Sequence, residues 1–232
     1  TLDELGIAPV RDGFANLFFP GTSTIQTRAK YFFLVPYAIK QLERSDETNA
    51  NKFLRELNEI ERGCGEHLLR ENRNENGIIG KRSLQNGKWV KRTPADIYWA
   101  GLRKYGIFMG GNISLSEYAR AVCAMKAQKS TLSKLGNRND NAEENETDDK
   151  NAGNLFKMQF WKMPLYNDHW HNDIHMKLTE AEGTFLKEQI IATCPNTILS
   201  YILENNMTEV LELASFADLS AIIDNFPQQM QD

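Results

Sequence analysis

Cysteine is scarce in this chain and widely scattered. Three cysteines occur in 232 residues, at Cys64, Cys123 and Cys194. No two of them form a CxxC pair, which excludes a zinc ribbon and a thioredoxin-like motif, and a disulfide scaffold is not suggested. Reduced, partly buried thiols in a cytoplasmic protein are the expectation. Long apolar runs are also missing. The longest, Tyr31–Ile39, contains Pro36 and is about half of the ~20 residues a spanning helix needs, so no membrane segment is expected. No charged-then-apolar leader is present. The chain opens on Thr1 and closes on Asp232 without a terminator, and reads as a piece truncated at both ends.

Familiar catalytic signatures are lacking too. Gly77-Ile78-Ile79-Gly80-Lys81 is too short between its glycines, by two residues, for a phosphate-binding loop. No HExxH occurs. Gly21-Thr22-Ser23 begins like a nucleophile elbow, but Ile25 stands where the closing glycine belongs. No cofactor is expected.

What the chain does have is helical patterning. Apolar residues make up 41% and charged residues 25%, ordinary globular usage. Phe53, Leu57, Ile60, Cys64 and Leu68 recur at a 3.6-residue period and predict a helix over 51–70. Ser23 with Gln26 has capping-box spacing and predicts a helix from about 21, kinked or interrupted at Pro36. Thr93-Pro94-Ala95-Asp96 starts another helix, and Ser114 with Glu117 a further one. Thr179 with Glu182, Asn196, Thr208 and Ser215 mark later starts. The opening, broken by Gly6, Pro9 and Gly13, predicts nothing regular. The fold class expected is mainly α. Residues 1–136 form an N-terminal helical region, 137–154 an Asn/Asp/Glu-rich flexible loop, and 155–232 a C-terminal helical region packed with the first as one domain.

Charge is unevenly placed around a net of −4. Residues 70–104 hold nine Lys/Arg against three Asp/Glu, a local balance of +6. Asn86-Gly87 between 77–84 and 88–92 predicts a small basic β-hairpin over about 78–92. Lys81, Arg82, Lys88, Lys91 and Arg92, with Trp89 among them, are candidate phosphate contacts. Pairing with acidic groups elsewhere in the chain is the alternative. A standard winged helix is a poor match, because there the wing follows the recognition helix.

Two further clusters carry possible chemistry. Thr22, Ser23, Thr24 and Arg28 at a helix start suit anion binding, although capping explains the hydroxyls equally. His169, His171 and His175, beside Asp168 and Asp173, could hold a metal if His171 and His175 shared a helical face, and so serve a metal-dependent hydrolase or nuclease. Surface histidines are the plainer reading.

The stretch Phe19-Pro20-Gly21-Thr22-Ser23-Thr24-Ile25-Gln26-Thr27-Arg28-Ala29-Lys30-Tyr31-Phe32, with Asp3–Ile7 and Arg11–Phe14 before it, resembles the start of an uncharacterised bacterial family of unknown function. Tyr98-Trp99-x-Gly101-Leu102-x-x-x-Gly106-Ile107 is similar as well. The resemblance covers residues 3–44 and 97–108 and implies no catalytic residue. It implies a loose association with bacterial defence gene clusters. The functional expectation is a non-enzymatic cytoplasmic module that binds nucleic acid or a partner protein within a multi-gene system, with the metal-dependent hydrolase as the rival.

Overall fold

The computed structural model describes residues 7–136, 160–164, 169–215, 217–218 and 227–228. Among these residues the chain is mainly helical and contains no sheet, only a single antiparallel bridge between Phe108 and Trp161. The loop expected over 137–154 lies outside the described residues.

Helix α1 (Ala8–Phe18) occupies the stretch that looked irregular. Pro9 falls in its first turn, where an N–H would have no helical partner and the ring costs nothing. Helix α2 (Tyr31–Glu43) begins well after the expected start. The Ser23–Gln26 capping box does not form: the Gln26 N–H donates to the Ser23 carbonyl in a turn, and the Gln26 amide donates to Gly21 O. The reason is tertiary. The Tyr98 hydroxyl accepts from the N–H groups of both Thr27 and Arg28 (2.9 and 3.0 Å) and donates to Arg28 O (2.8 Å). Those amides are thereby withheld from a helical ladder. Pro36 lies inside α2 without ending it, and every residue from Tyr31 to Ile39 is buried, so α2 is the core helix, apolar on all sides over residues 31–39.

Helix α3 (Ala50–Glu71) is capped by Asn49 and buries Phe53, Leu57, Glu61, Cys64 and Leu68 along one stripe. The β-hairpin expected over 78–92 is not there. A one-turn helix α4 (Lys81–Gln85) takes its place. Gly87 (φ 66°) follows it, with Gly87 N–H donating to Leu84 O and Lys88 N–H to Ser83 O. This is a Schellman motif, in which a left-handed glycine ends a helix. Asn-Gly supplies the positive φ that either structure requires, and here a helix end uses it.

Helices α5 (Pro94–Lys104) and α6 (Leu115–Gly136) start at Thr93 and Ser114, each with its capping box formed. Helix α7 (Glu180–Thr193) starts at Thr179 with its box to Glu182. Helix α8 (Ile198–Glu204) is capped by Thr197 rather than Asn196, whose backbone is left-handed (φ 60°). Thr208 opens a 3-10 turn.

Helix α2 packs on α3 and α5, α3 on α6, and α7 on α8. One core joins α2, α3, α5 and α6 to Trp161, Trp170 and α7. At its centre Trp99, Phe108, Tyr118 and Trp161 meet with ring centroids 4.7–6.1 Å apart, the range in which aromatic pairs attract. No helix among the described residues is long and apolar enough to cross a membrane. The three cysteines are free and buried.

Candidate functional site

The basic segment is a compact turn held against α3. The Trp89 ring and Leu84 lie over Gly65, and Trp89 and Val90 return to Gly80, where a Cβ would meet them at about 3 Å. Trp89 is therefore a half-buried anchor, its indole N–H buried without a partner. Lys81 is half-buried and donates to Glu75 O at 2.7 Å. Arg82, Lys88, Lys91 and Arg92 are exposed. None of these four is in an ion pair with a described residue, whereas Arg11, Lys52 and Arg62 each pair with a nearby carboxylate.

The Thr22 hydroxyl and the Arg28 guanidinium turn to different partners. Thr22 donates to Phe19 O at 2.7 Å. Arg28 turns to the 75–77 loop, bonding Asn76 O and Glu75 Oε1, and Thr27 donates to Gly77 O. The segment is a strap between α5 and that loop. Thr22 and Ser23 do line a cavity of about 340 Å³ with Lys104, a neighbour the sequence offered no means of finding, and Arg28 does not line it.

Among the histidines, the rings of His169 and His171 stand 6.5 Å apart at 63°. His175 is partly buried, with its Nδ1 unpartnered. Among the described residues no group of three or more His, Cys, Asp or Glu is placed to hold a metal ion. Asp168 lies outside the described residues.

A cleft of about 420 Å³ opens where α3 meets the starts of α5 and α6. Glu61 lines it together with Asp96, Asn58 and the apolar Leu54, Leu57 and Trp99. Glu61 is 5% exposed. Its Oε1 accepts the Ala95 N–H at 2.6 Å and its Oε2 has no partner. Burial pushes its carboxyl up to about 8, against the pull of hydrogen bonding from Thr93 and Ala95 and with the push of the Asp96 charge. The sequence did hold a signal for this residue. Glu61 sits four after Leu57 and three before Cys64, so it interrupts the buried stripe with a carboxylate.

The fold and these features define a helical unit with an exposed basic turn on one element and an acid-lined cleft on others. The chain belongs to a family of unknown function, DUF6361, whose model matches residues 1–128. No curated protein and no solved structure matches it. The strap, the basic turn and the cleft fall within the matched residues, and the three histidines at 169–175 fall beyond them.

Proposed function

We propose that this chain is a non-enzymatic nucleic-acid-binding module, with the backbone phosphates contacted by Arg82, Lys88, Lys91 and Arg92. The observation that carries the reading is the exposure of these four cations on one anchored turn, without ion pairs to described residues. Neutralisation by a described residue would have placed a carboxylate against them. Cations without an ion pair to a described residue can neutralise phosphates without first breaking such a pair. The three free, buried thiols agree with a cytoplasmic setting, and the resemblance to defence-associated genes suits a module working within a larger assembly.

The test is a titration of labelled duplex and single-stranded DNA at two salt concentrations. Four phosphate contacts on a duplex release about 3.6 counterions, since each contributes about 0.9. Affinity then falls about a hundredfold between 50 and 200 mM salt. Lys91→Ala/Arg92→Ala lowers affinity for all sequences alike and reduces the salt slope by about two. Binding of neither DNA at 50 mM salt overturns the reading.

A further inference from the structure

In the Glu61 cleft a deeply buried carboxyl with one unpartnered oxygen lines a cavity of ligand size. An unmade hydrogen bond at a buried carboxyl is costly, and native structures keep such groups where something else completes them.

The lining decides what that something is. Two helix N-termini meet at the cleft, and helix N-termini ordinarily favour anions. Here three of their N–H groups are already engaged. Thr93 accepts the Asp96 N–H, Glu61 accepts the Ala95 N–H, and Ser114 accepts the Glu117 N–H. The charge that the lining can offer is negative: Glu61, whose Oε2 has no partner, and Asp96, one oxygen of which accepts the Thr93 N–H, with the Asn58 amide beside them. No Lys or Arg lines the cleft. Leu54, Leu57 and Trp99 supply an apolar wall, and Trp99 is held in place by its indole N–H donating to Ile113 O at 2.9 Å. An aromatic and aliphatic wall beside carboxylates is the environment an organic cation seeks. A volume of about 420 Å³ falls in the range of small-molecule sites.

We propose that this cleft binds a small organic cation, an ammonium or guanidinium head on a short apolar stem, with Glu61 as its counter-ion. The inference is independent of the nucleic-acid reading, because it uses different elements and the opposite charge. Binding exchanges a proton for the cation: Glu61 gives up its proton to solvent as the positive head arrives. Facing Glu61 are Asp96 on α5, Tyr31 on α2 and Cys64 on its own helix. Burial raises both the Tyr31 phenol and the Cys64 thiol, the latter to about 12, so neither ionises between pH 6 and 9. Glu61 is thus the group whose proton is exchanged in that window.

The experiment is a protein-observed NMR titration of the full chain with n-butylguanidinium and n-butylammonium, and with n-pentanol as the neutral control of similar shape. The cations are expected to tighten about tenfold per pH unit from 6 to near 8 and to level off above it, with shifts at Asn58, Glu61 and Trp99, while n-pentanol stays pH-independent. Glu61→Gln keeps the acceptor for Ala95 N–H and removes the charge; it is expected to lose the preference for cation over alcohol. The wild-type pH series needs no variant and stands even if Glu61→Gln fails to fold. Cations that bind no tighter than n-pentanol at pH 8.5, or whose affinity does not change with pH, overturn the proposal.

Discussion

Lys30 Nζ donates to both carboxylate oxygens of Glu182, at 2.8 and 2.7 Å, and the two side chains are each 6% exposed. The pair is separated by 152 residues and ties the base of α2 to the first turn of α7. Glu182 also accepts the Thr179 N–H at 2.8 Å, so one carboxylate closes a helix cap and a tertiary ion pair together. The interaction joins a residue inside the family match to one beyond it.

Removing one member of a buried pair strands the other, at a cost of about 3–5 kcal/mol. Lys30→Met is therefore expected to lower the urea midpoint sharply. Lys30→Met/Glu182→Leu removes both charges and is expected to recover most of that loss, leaving about 1 kcal/mol for the missing cap. A double variant no more stable than Lys30→Met alone contradicts this account.

Two glycines in helices make a contrasting pair. At Gly101 an added Cβ would stand 2.6 Å from Gly21 O and 2.8 Å from the Phe32 ring. At Gly63 it would meet nothing within 4 Å. Alanine improves helix propensity by about 1 kcal/mol at either site. Gly63→Ala should gain about that in thermal denaturation. Gly101→Ala should lose about 1–3 kcal/mol, because the overlap is with backbone, which cannot rotate away.

The same contact shows what could be read in advance. The stretches around residues 19–32 and 98–107 are built against each other, through Gly21 on Gly101 and Tyr98 on Thr27 and Arg28. Local signals were legible: the α3 stripe, and the caps at Thr93, Ser114 and Thr179, each decided within four residues. The errors fell where distant groups chose between local options. Gln26 has capping spacing, but Tyr98, about 70 residues on, captures the amides a helix would use. Asn86-Gly87 fits a hairpin or a helix end, and the seat of Leu84 and Trp89 over Gly65 is the packing that accompanies the helix end. Lys104 beside Thr22, and Asp96 beside Glu61, are juxtapositions no spacing rule contains.

Glu61 gives stability a pH dependence of definite sign. Its carboxyl titrates near 8 in the folded chain and near 4.3 when unfolded. Between those values the native state holds one proton more than the unfolded chain. Stability is then greatest below about 4.3 as far as this group is concerned, and falls as pH rises through 8, by at most about 1.4 kcal/mol per unit. Glu47 and Glu117 act oppositely, since hydrogen bonds from Lys52 and Ser114 lower them and favour the ionised form. The difference in unfolding free energy between wild type and Glu61→Gln should grow steadily from pH 5 to 8 and then level off. A difference that does not vary with pH would show that Glu61 is ionised at neutrality.

Within the basic segment, Lys81 and Arg82 are adjacent in sequence and opposite in role. Lys81 spends its ammonium on Glu75 O at 2.7 Å, which bridges α4 to the loop that Arg28 also grips. Arg82 is exposed and makes no ion pair to a described residue. Lys81→Ala should therefore cost about 1 kcal/mol of stability, the worth of one hydrogen bond from a charged donor less its exposure, and leave the salt slope of DNA binding unchanged. Arg82→Ala should leave stability within about 0.5 kcal/mol and reduce the salt slope by about one. Net charge falls equally in the two variants, so a general attraction between a positive patch and a polyanion predicts the same loss from both. Only contacts made by particular side chains separate them. Parallel melting curves and DNA titrations of the two variants test this, and equal slopes would mean that the turn acts as diffuse charge rather than through named phosphate contacts.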